Sequence, residues 1–185
     1  MSTSTLRFDI TFHTPFRVST GHARDELDAA IDPELPLPST SLKGLMRATA
    51  VKLLGKNAEI VGSVFGSPRH ESPWRWSDAA PDESGWHRPK AAARLEIARD
   101  THTAKEDMLG VREQIGAEHA WFTVTERGFL DDETLRTHRL VLAVAARATR
   151  SLGADRRRGL GWVTISSDIN IERSDVETFL ELGAA

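Results

Sequence analysis

Cysteine is absent from the 185-residue sequence. Disulfides, thiolate metal sites and cysteine nucleophiles are therefore excluded. The chain also lacks any run of 18 apolar residues that could span a membrane, so we expect no membrane partner. Residues 1–5 show neither the charged nor the apolar region of a signal peptide. We therefore expect a cytoplasmic protein.

Two common kinds of cofactor site are also missing. The seven histidines are scattered, without the H-E-x-x-H spacing or another metal-binding spacing, which argues against a zinc site. No G-x-x-x-x-G-K-[ST] loop occurs, and the glycines at 153, 159 and 161 precede an expected strand rather than a helix. A nucleotide-cofactor site is therefore excluded, because the glycine-rich loops of such sites precede a helix.

Net positive charge is absent as well, since the formal net charge is −3. A protein that coats nucleic acid with its entire surface would be basic, so any such binding must be local. Residues 147–158 contain five arginines and a single aspartate. The positive charge is therefore concentrated in this stretch.

The stretch continues into a glycine-rich loop, residues 153–161. Gly153, Gly159 and Gly161 allow the backbone to bend and to approach another polymer closely. Arg156, Arg157 and Arg158 place three consecutive positive charges between them. Such a loop suits a phosphate backbone as its partner. The alternative is a glycine-rich turn whose arginines are simply solvated.

A second cationic segment, residues 35–47, reads LPLPSTSLKGLMR. Its prolines favour an extended chain, and Ser39 or Thr40 is suited to cap a helix that runs to about Leu54. Lys43 and Arg47 are four residues apart and share one face near the start of this helix. Together with free backbone amides they predict an anion site. The expected apolar stripe of the helix is formed by Leu42, Leu45, Met46, Thr49, Leu53 and Leu54.

The order of elements predicts one α+β domain over residues 1–185. Strands are expected at 6–12, 92–98, 119–125 and 162–165 from their alternating apolar residues. Besides the first helix, one helix is expected to run through Leu135 to Ala148 and a short one over 174–182. This βαββαβ order is compatible with a ferredoxin-like (RRM-like) fold. Residues 66–90 are expected to be an irregular insertion and residues 99–117 a projecting one.

The two cationic segments together resemble the RAMP superfamily of CRISPR-associated proteins. The family marks are an L-P-x-P-[GS]-[ST]-S-L-K-G-x-x-R stretch and a late arginine-bearing G-x-x-x-x-x-G-x-G loop, matched here at 35–47 and 153–161. The similarity is strongest to the repeating backbone subunit of type III effector complexes, which serve antiviral defence. The sequence departs from the pattern at Ser39, where the family usually has glycine, and 185 residues is short for a backbone subunit.

This resemblance implies a guide-RNA-binding role, with target RNA, copies of the chain itself and other effector subunits as partners. The residues that would touch the guide backbone are Lys43, Arg47, Arg156, Arg157, Arg158, Gly159 and Gly161. The segment 99–115 resembles the family's thumb, a hairpin that wedges apart the guide–target duplex. Met108 and Leu109 would form that wedge, or else pack locally against the domain.

The resemblance also implies cleavage of the bound target RNA by an aspartate on the loop before the first helix. The family position falls on Asp28, which would hold a divalent metal ion, Mg²⁺, when target RNA is bound; Asp25 and Asp32 are alternatives. Two other functions remain open. One is an RNA-binding structural subunit without cleavage, and the other is a stand-alone endoribonuclease that processes precursor RNA with a histidine base, for which His22 is the candidate.

Three tryptophans, Trp74, Trp76 and Trp86, lie within the expected insertion at 66–90. Aromatic side chains in a loop can stack on nucleic-acid bases. They more commonly anchor the loop onto the core or onto a neighbouring subunit. We favour the anchoring interpretation.

Overall fold

A computed structural model describes residues 3–19, 30–97, 100 and 104–183, and at 94–97 and 104–109 it describes the backbone alone. The structure contains both helices and an antiparallel sheet, as the sequence predicts for an α+β domain. The elements are β1 (Thr5–Phe12), α1 (Ser39–Leu54), α2 (Glu59–Phe65), β2 (Trp74–Trp76), β3 (Ala80–Pro81), β4 (Lys90–Ile97), β5 (Ala104–Gln114), β6 (His119–Glu126), α3 (Asp132–Ala148), β7 (Val163–Ser167) and α4 (Arg173–Glu181).

The main sheet is antiparallel, in the order β2, β6, β1, β7, and β3 also pairs with β6. In its centre Phe8 lies opposite Phe122, and their rings stack with centroids 5.0 Å apart. Burial alternates along β1, where Leu6, Phe8 and Ile10 are buried, as the sequence predicts. One face of the sheet is therefore covered by the core, and the other carries the intervening polar residues.

A second sheet contains β4 and β5 alone. The prediction that residues 92–98 form a strand of the main sheet is therefore wrong, because this strand pairs with β5 instead. The prediction that residues 66–90 are irregular is wrong at two short strands, because β2 and β3 lie in this range and pair with β6. Strands of three and two residues are too short to show an alternating pattern, which explains the error.

Helix α1 ends at Leu54 as predicted, but its buried stripe is rotated from the predicted one. The buried residues are Leu42, Met46, Ala50 and Leu54, which lie four residues apart along one row of the helix. Leu53 belongs to the predicted stripe and is instead 42% exposed. A small residue, Ala50, belongs to this buried row, and α1 packs against α3.

The start of α1 also differs from the prediction that Ser39 or Thr40 caps it. No side chain of the helix forms a cap hydrogen bond, and the N-cap residue is Pro38. Instead, the Ser39 amide donates to Oδ1 of Asp78 at 2.7 Å. Asp78 lies just before β3. The amide of the next residue, Ala79, donates a hydrogen bond to the Leu37 carbonyl at 3.1 Å. The cap is thus tertiary rather than local.

The three tryptophans of the 66–90 segment pack onto the core, which confirms the anchoring interpretation. Trp74 is buried, and Trp76 stacks on Phe122 with centroids 5.9 Å apart. Trp86 contacts Phe12 and Phe16 edge-on. Among the described helices, none is long and apolar enough to cross a membrane.

Candidate nucleic-acid interface

The glycine-rich loop between α3 and β7 is held by backbone hydrogen bonds at both ends. The Leu152 amide donates to the Gly161 carbonyl at 2.8 Å, and the Val163 amide donates to the Arg150 carbonyl at 3.0 Å. At the tip, residues Arg156–Arg158 form a 3₁₀ turn, which we name the arginine turn. All three arginines are exposed on a backbone of defined shape.

Asp155 fixes the start of the arginine turn. Its carboxylate pairs with the guanidinium of Arg17, and the two side chains are 13% and 6% exposed. Nη1 of Arg112, at the end of β5, lies 3.6 Å from the same carboxylate. Asp155 has a left-handed backbone with φ 57°, an unusual conformation for a residue other than glycine. The carboxylate therefore holds the loop against the strands while leaving the three following arginines outside.

The two glycines that follow the arginine turn have different surroundings. A Cβ atom on Gly161 would lie 1.9 Å from the carbonyl oxygen of Leu152, so that this glycine permits close packing of the chain on itself. Gly159 has φ +85° and no atom within 4 Å of where a Cβ would stand. Only Gly159 therefore leaves its open side to an external partner.

An open cleft of about 750 Å³ lies beside the arginine turn. It is lined by Arg112, Ser151, Asp155, Arg156, Arg157 and Arg158, and we name it the arginine cleft. The single carboxylate among these residues is already paired with Arg17 and close to Arg112. The remaining charge is positive, which gives the cleft the character of an anion site.

Lys43 and Arg47 lie in a second cleft, of about 510 Å³, which we name the helix cleft. It also contains Arg127, whose Nη1 lies 3.9 Å from the Glu71 carboxylate. Burial and the neighbouring Arg47 lower the pKa of Lys43, and Glu71 acts in the opposite direction. Among the described residues, none lines both clefts.

The anion site predicted at the start of α1 keeps its cations but loses part of its amide component. The Ser39 amide already binds the Asp78 carboxylate, and the amides of Ser41 and Leu42 donate to the Pro38 carbonyl. Of the predicted anion site, the side chains of Lys43 and Arg47 therefore remain, and both line the helix cleft.

Of the three candidate catalytic aspartates, Asp32 is described, and Asp25 and Asp28 lie outside the described residues, as does His22. Oδ1 of Asp32 accepts hydrogen bonds from the amides of Glu34 and Leu35 at 3.0 and 3.3 Å, so this carboxylate shapes a turn. Within the described part of the chain, no group of three His, Asp or Glu residues is arranged to hold a metal ion. Met108 and Leu109 lie on β5, and their side chains are outside the description.

Sequence reasoning missed Arg17, Arg112 and Ser151. Arg112 and Ser151 line the arginine cleft, and Arg17 forms an ion pair with Asp155, which also lines this cleft. Asp155 could have been recognised, since it is the single acid among five arginines. The sequence around Arg17 and Arg112 does not indicate that they lie near the loop. Two tertiary contacts bring them there, the bridge between Phe16 and Ile115 and the hydrogen bond from the Ala154 amide to the Arg17 carbonyl.

Comparisons with known proteins give one family and one fold. A model of the RAMP superfamily matches residues 9–164. The chain is also similar to a chain in the cryo-EM structure of the Type III-B Cmr-beta bound to cognate target RNA, with a TM-score of 0.61 and 16% identity. The match covers 88% of this chain and 60% of that one, so this chain spans about three fifths of the relative's length. No curated protein matches.

Proposed function

The chain belongs to the RAMP superfamily, and from this premise we propose that it is a guide-RNA-binding subunit of a CRISPR effector complex. Its partners would be guide RNA, target RNA, copies of itself and other effector subunits. The complex would act in the cytoplasm and serve antiviral defence. The solved complex that contains the similar chain is bound to target RNA, which supports an RNA partner. The observation that carries the proposal is the arginine cleft, where exposed guanidinium groups surround an open space.

We assign the domain to the ferredoxin-like class. The sheet order β2, β6, β1, β7, with α1 after β1 and α3 after β6, supports this assignment. The β4–β5 hairpin is proposed as the thumb, with Met108 and Leu109 as its wedge. Arg112, at the base of the hairpin, approaches Asp155 and would couple the thumb to the arginine turn.

Phosphate binding at the arginine cleft follows from its chemistry. Guanidinium groups bind phosphate oxygens through two parallel hydrogen bonds, and these contacts carry no sequence information. That property suits a subunit whose guide differs from one complex to the next, because base pairing then reads the target. Lys43 and Arg47 would bind phosphates in the helix cleft, at a separate point along the strand.

The nucleic acid retained by the purified protein tests the proposal. We expect wild type to retain RNA and the Arg156→Ala, Arg157→Ala, Arg158→Ala variant to lose most of it. A matched control removes three exposed cations outside both clefts, Lys52, Lys56 and Arg136, by substitution with Ala. Equal RNA retention in the two triple variants would overturn the role of the arginine cleft.

We further propose that Asp28 supports cleavage of the bound target RNA with Mg²⁺, with Asp25 and Asp32 as alternatives. The ion would stabilise charge on the scissile phosphate. In the assembled complex, Asp28→Ala is expected to abolish target cleavage without changing target binding, whereas Asp32→Ala is expected to affect the turn at Glu34 and Leu35.

Two other outcomes would favour the competing functions. RNA-containing assemblies that never cleave, with or without Mg²⁺, indicate a structural subunit. A monomer that cleaves precursor RNA in the presence of a chelator, and loses this activity in His22→Ala, indicates a stand-alone endoribonuclease.

A further inference from the structure

Trp162 is an exposed aromatic residue beside the arginine turn. Its exposed fraction is 57%, whereas Trp74, in the core, is 2% exposed. The cause is its position in the strand pattern. Val163 and Ile165 are buried, so the residue one position before Val163 must point to the opposite, open side of the sheet.

The backbone of Trp162 is fixed from both sides. Its amide donates to Oγ1 of Thr14 at 2.9 Å, and its carbonyl accepts from the His13 amide at 2.9 Å. The preceding Gly161 packs against Leu152 without room for a side chain. The indole ring is therefore presented from a rigid backbone, as a pre-organised platform requires.

Trp162 lies next to the arginine cleft. It forms an antiparallel bridge with Ser151, which lines the cleft. Directly opposed residues of an antiparallel pair project to the same side. Trp162 lies four positions after Arg158, so their Cα atoms are at most about 14 Å apart. A ring at this position is within reach of a strand that lies in the cleft.

We propose that Trp162 stacks on a base of the RNA strand whose phosphates bind in the arginine cleft. This inference rests on the proposed RNA-binding function and adds a second, apolar component to the same site. A positive groove flanked by an aromatic face is the general arrangement for binding single-stranded nucleic acid. Stacking is tolerant of sequence because every base has a π-face, so the contact also suits a variable guide.

The test compares two single-stranded RNAs of equal length, one normal and one with every base replaced by an abasic ribose. Trp162→Ala is expected to weaken binding of the normal RNA by about 5-fold to 150-fold, the range for loss of one stacked base. The abasic RNA should bind Trp162→Ala as it binds wild type, and the salt dependence should not change. Trp162→Phe should keep most of the affinity. Leu180→Ala, which removes a residue 55% exposed on α4, is the matched control and should have no effect.

Several results would overturn the inference. One is equal binding of normal RNA by wild type and Trp162→Ala. A second is an equal loss for normal and abasic RNA, which would indicate a distorted loop. A third is a change in the size of the assembly without a change in base dependence, which would indicate a protein contact.

Failure of the underlying function gives a different pattern. If the triple arginine variant binds both RNAs as wild type does, the arginine cleft is not the site and both proposals fall. If that variant loses affinity while Trp162→Ala does not, the RNA-binding function stands and the stacking contact alone is refuted.

Discussion

Asp155 shows how a single acid can serve a cationic site. Its carboxylate is largely buried with Arg17, and it does not neutralise the exposed arginines that follow it. Removing one partner of a buried ion pair leaves the other charge uncompensated, which costs more than the pair itself contributes. Asp155 is therefore a positioning residue of the arginine turn.

Asp155→Asn is expected to lower the free energy of unfolding by about 3 kcal/mol, since the buried guanidinium of Arg17 would lose the negative charge of this carboxylate. Asparagine tolerates the left-handed backbone, so the loss would report the charge rather than backbone strain. Asp9→Asn is the matched control, because its ion pair with Arg7 is more than half exposed and should contribute less than about 1 kcal/mol. Urea unfolding measures both, and equal losses would contradict this role.

His138 is a buried polar residue within the core. Its Nδ1 accepts from Nε1 of Trp74 at 3.2 Å, which places the ring proton on Nε2, 3.1 Å from Oγ of Ser63. Ser63 in turn donates to the Ile60 carbonyl at 3.1 Å. Burial lowers the pKa of His138, and the charge of Asp131 partly opposes this shift. The neutral ring is therefore the form that the fold stabilises.

Stability is expected to fall as the pH decreases below about 6.5, because the unfolded histidine binds a proton there that the folded one does not. One such group gives a slope of at most about 1.4 kcal/mol per pH unit. The comparison is with His138→Gln, which does not titrate. The stability advantage of wild type over this variant should shrink between pH 7.5 and pH 5 in urea unfolding. A constant difference across this range would refute the assignment.

The loop between α3 and β7 distinguishes two glycines that look alike in the sequence. Gly161→Ala would bring a Cβ to 1.9 Å from the Leu152 oxygen, so the loop between α3 and β7 would have to shift. Gly159→Ala meets no atom and should cost about 1 kcal/mol, from its left-handed backbone alone. We expect thermal unfolding to show a much larger loss for Gly161→Ala. Equal losses would mean that the loop packs differently.

Helix α1 depends on Asp78 for its first turn. Asp78→Ala should destabilise the protein by about 1 kcal/mol, the usual effect of losing a cap, because the Ser39 amide loses its acceptor. Asp78→Asn retains a side-chain oxygen and should cost much less. Ser39→Ala, which leaves the Asp78 contact in place, should be nearly neutral in the same urea measurement. A larger loss of stability from Ser39→Ala than from Asp78→Ala would indicate instead that Ser39 caps the helix locally.

The elements show how far sequence patterns reach. The sequence predicted the longer elements. Helices α1 and α3 show an apolar pattern over two turns or more, and strands β1 and β6 show several alternating residues. The pairing of β4 with β5, the short strands β2 and β3, and the Asp78 cap depend on residues far apart in the chain. Tertiary pairing, and not local propensity, decides these features.

The whole molecule combines a net charge of −3 with two separate cationic clefts. The sequence predicted Lys43, Arg47 and the three arginines as a local positive surface, and the structure finds them in these clefts. Which cations share a cleft could not be predicted, because Arg112 and Arg127 reach their clefts through tertiary packing. A single RNA strand that contacts both clefts would have to run over the surface between them.

The salt dependence of RNA affinity tests this account most directly. Each phosphate contact that a cation makes with single-stranded RNA contributes about 0.7 to the slope of log affinity against log salt concentration. Substitution of Lys43, Arg47, Arg156, Arg157 and Arg158 with Ala should therefore weaken binding strongly and reduce the slope by about 3.5, if each contacts one phosphate. The Lys52, Lys56 and Arg136 control should keep the wild-type slope. An unchanged affinity and slope in the fivefold variant would contradict the claim that these two clefts bind the RNA backbone.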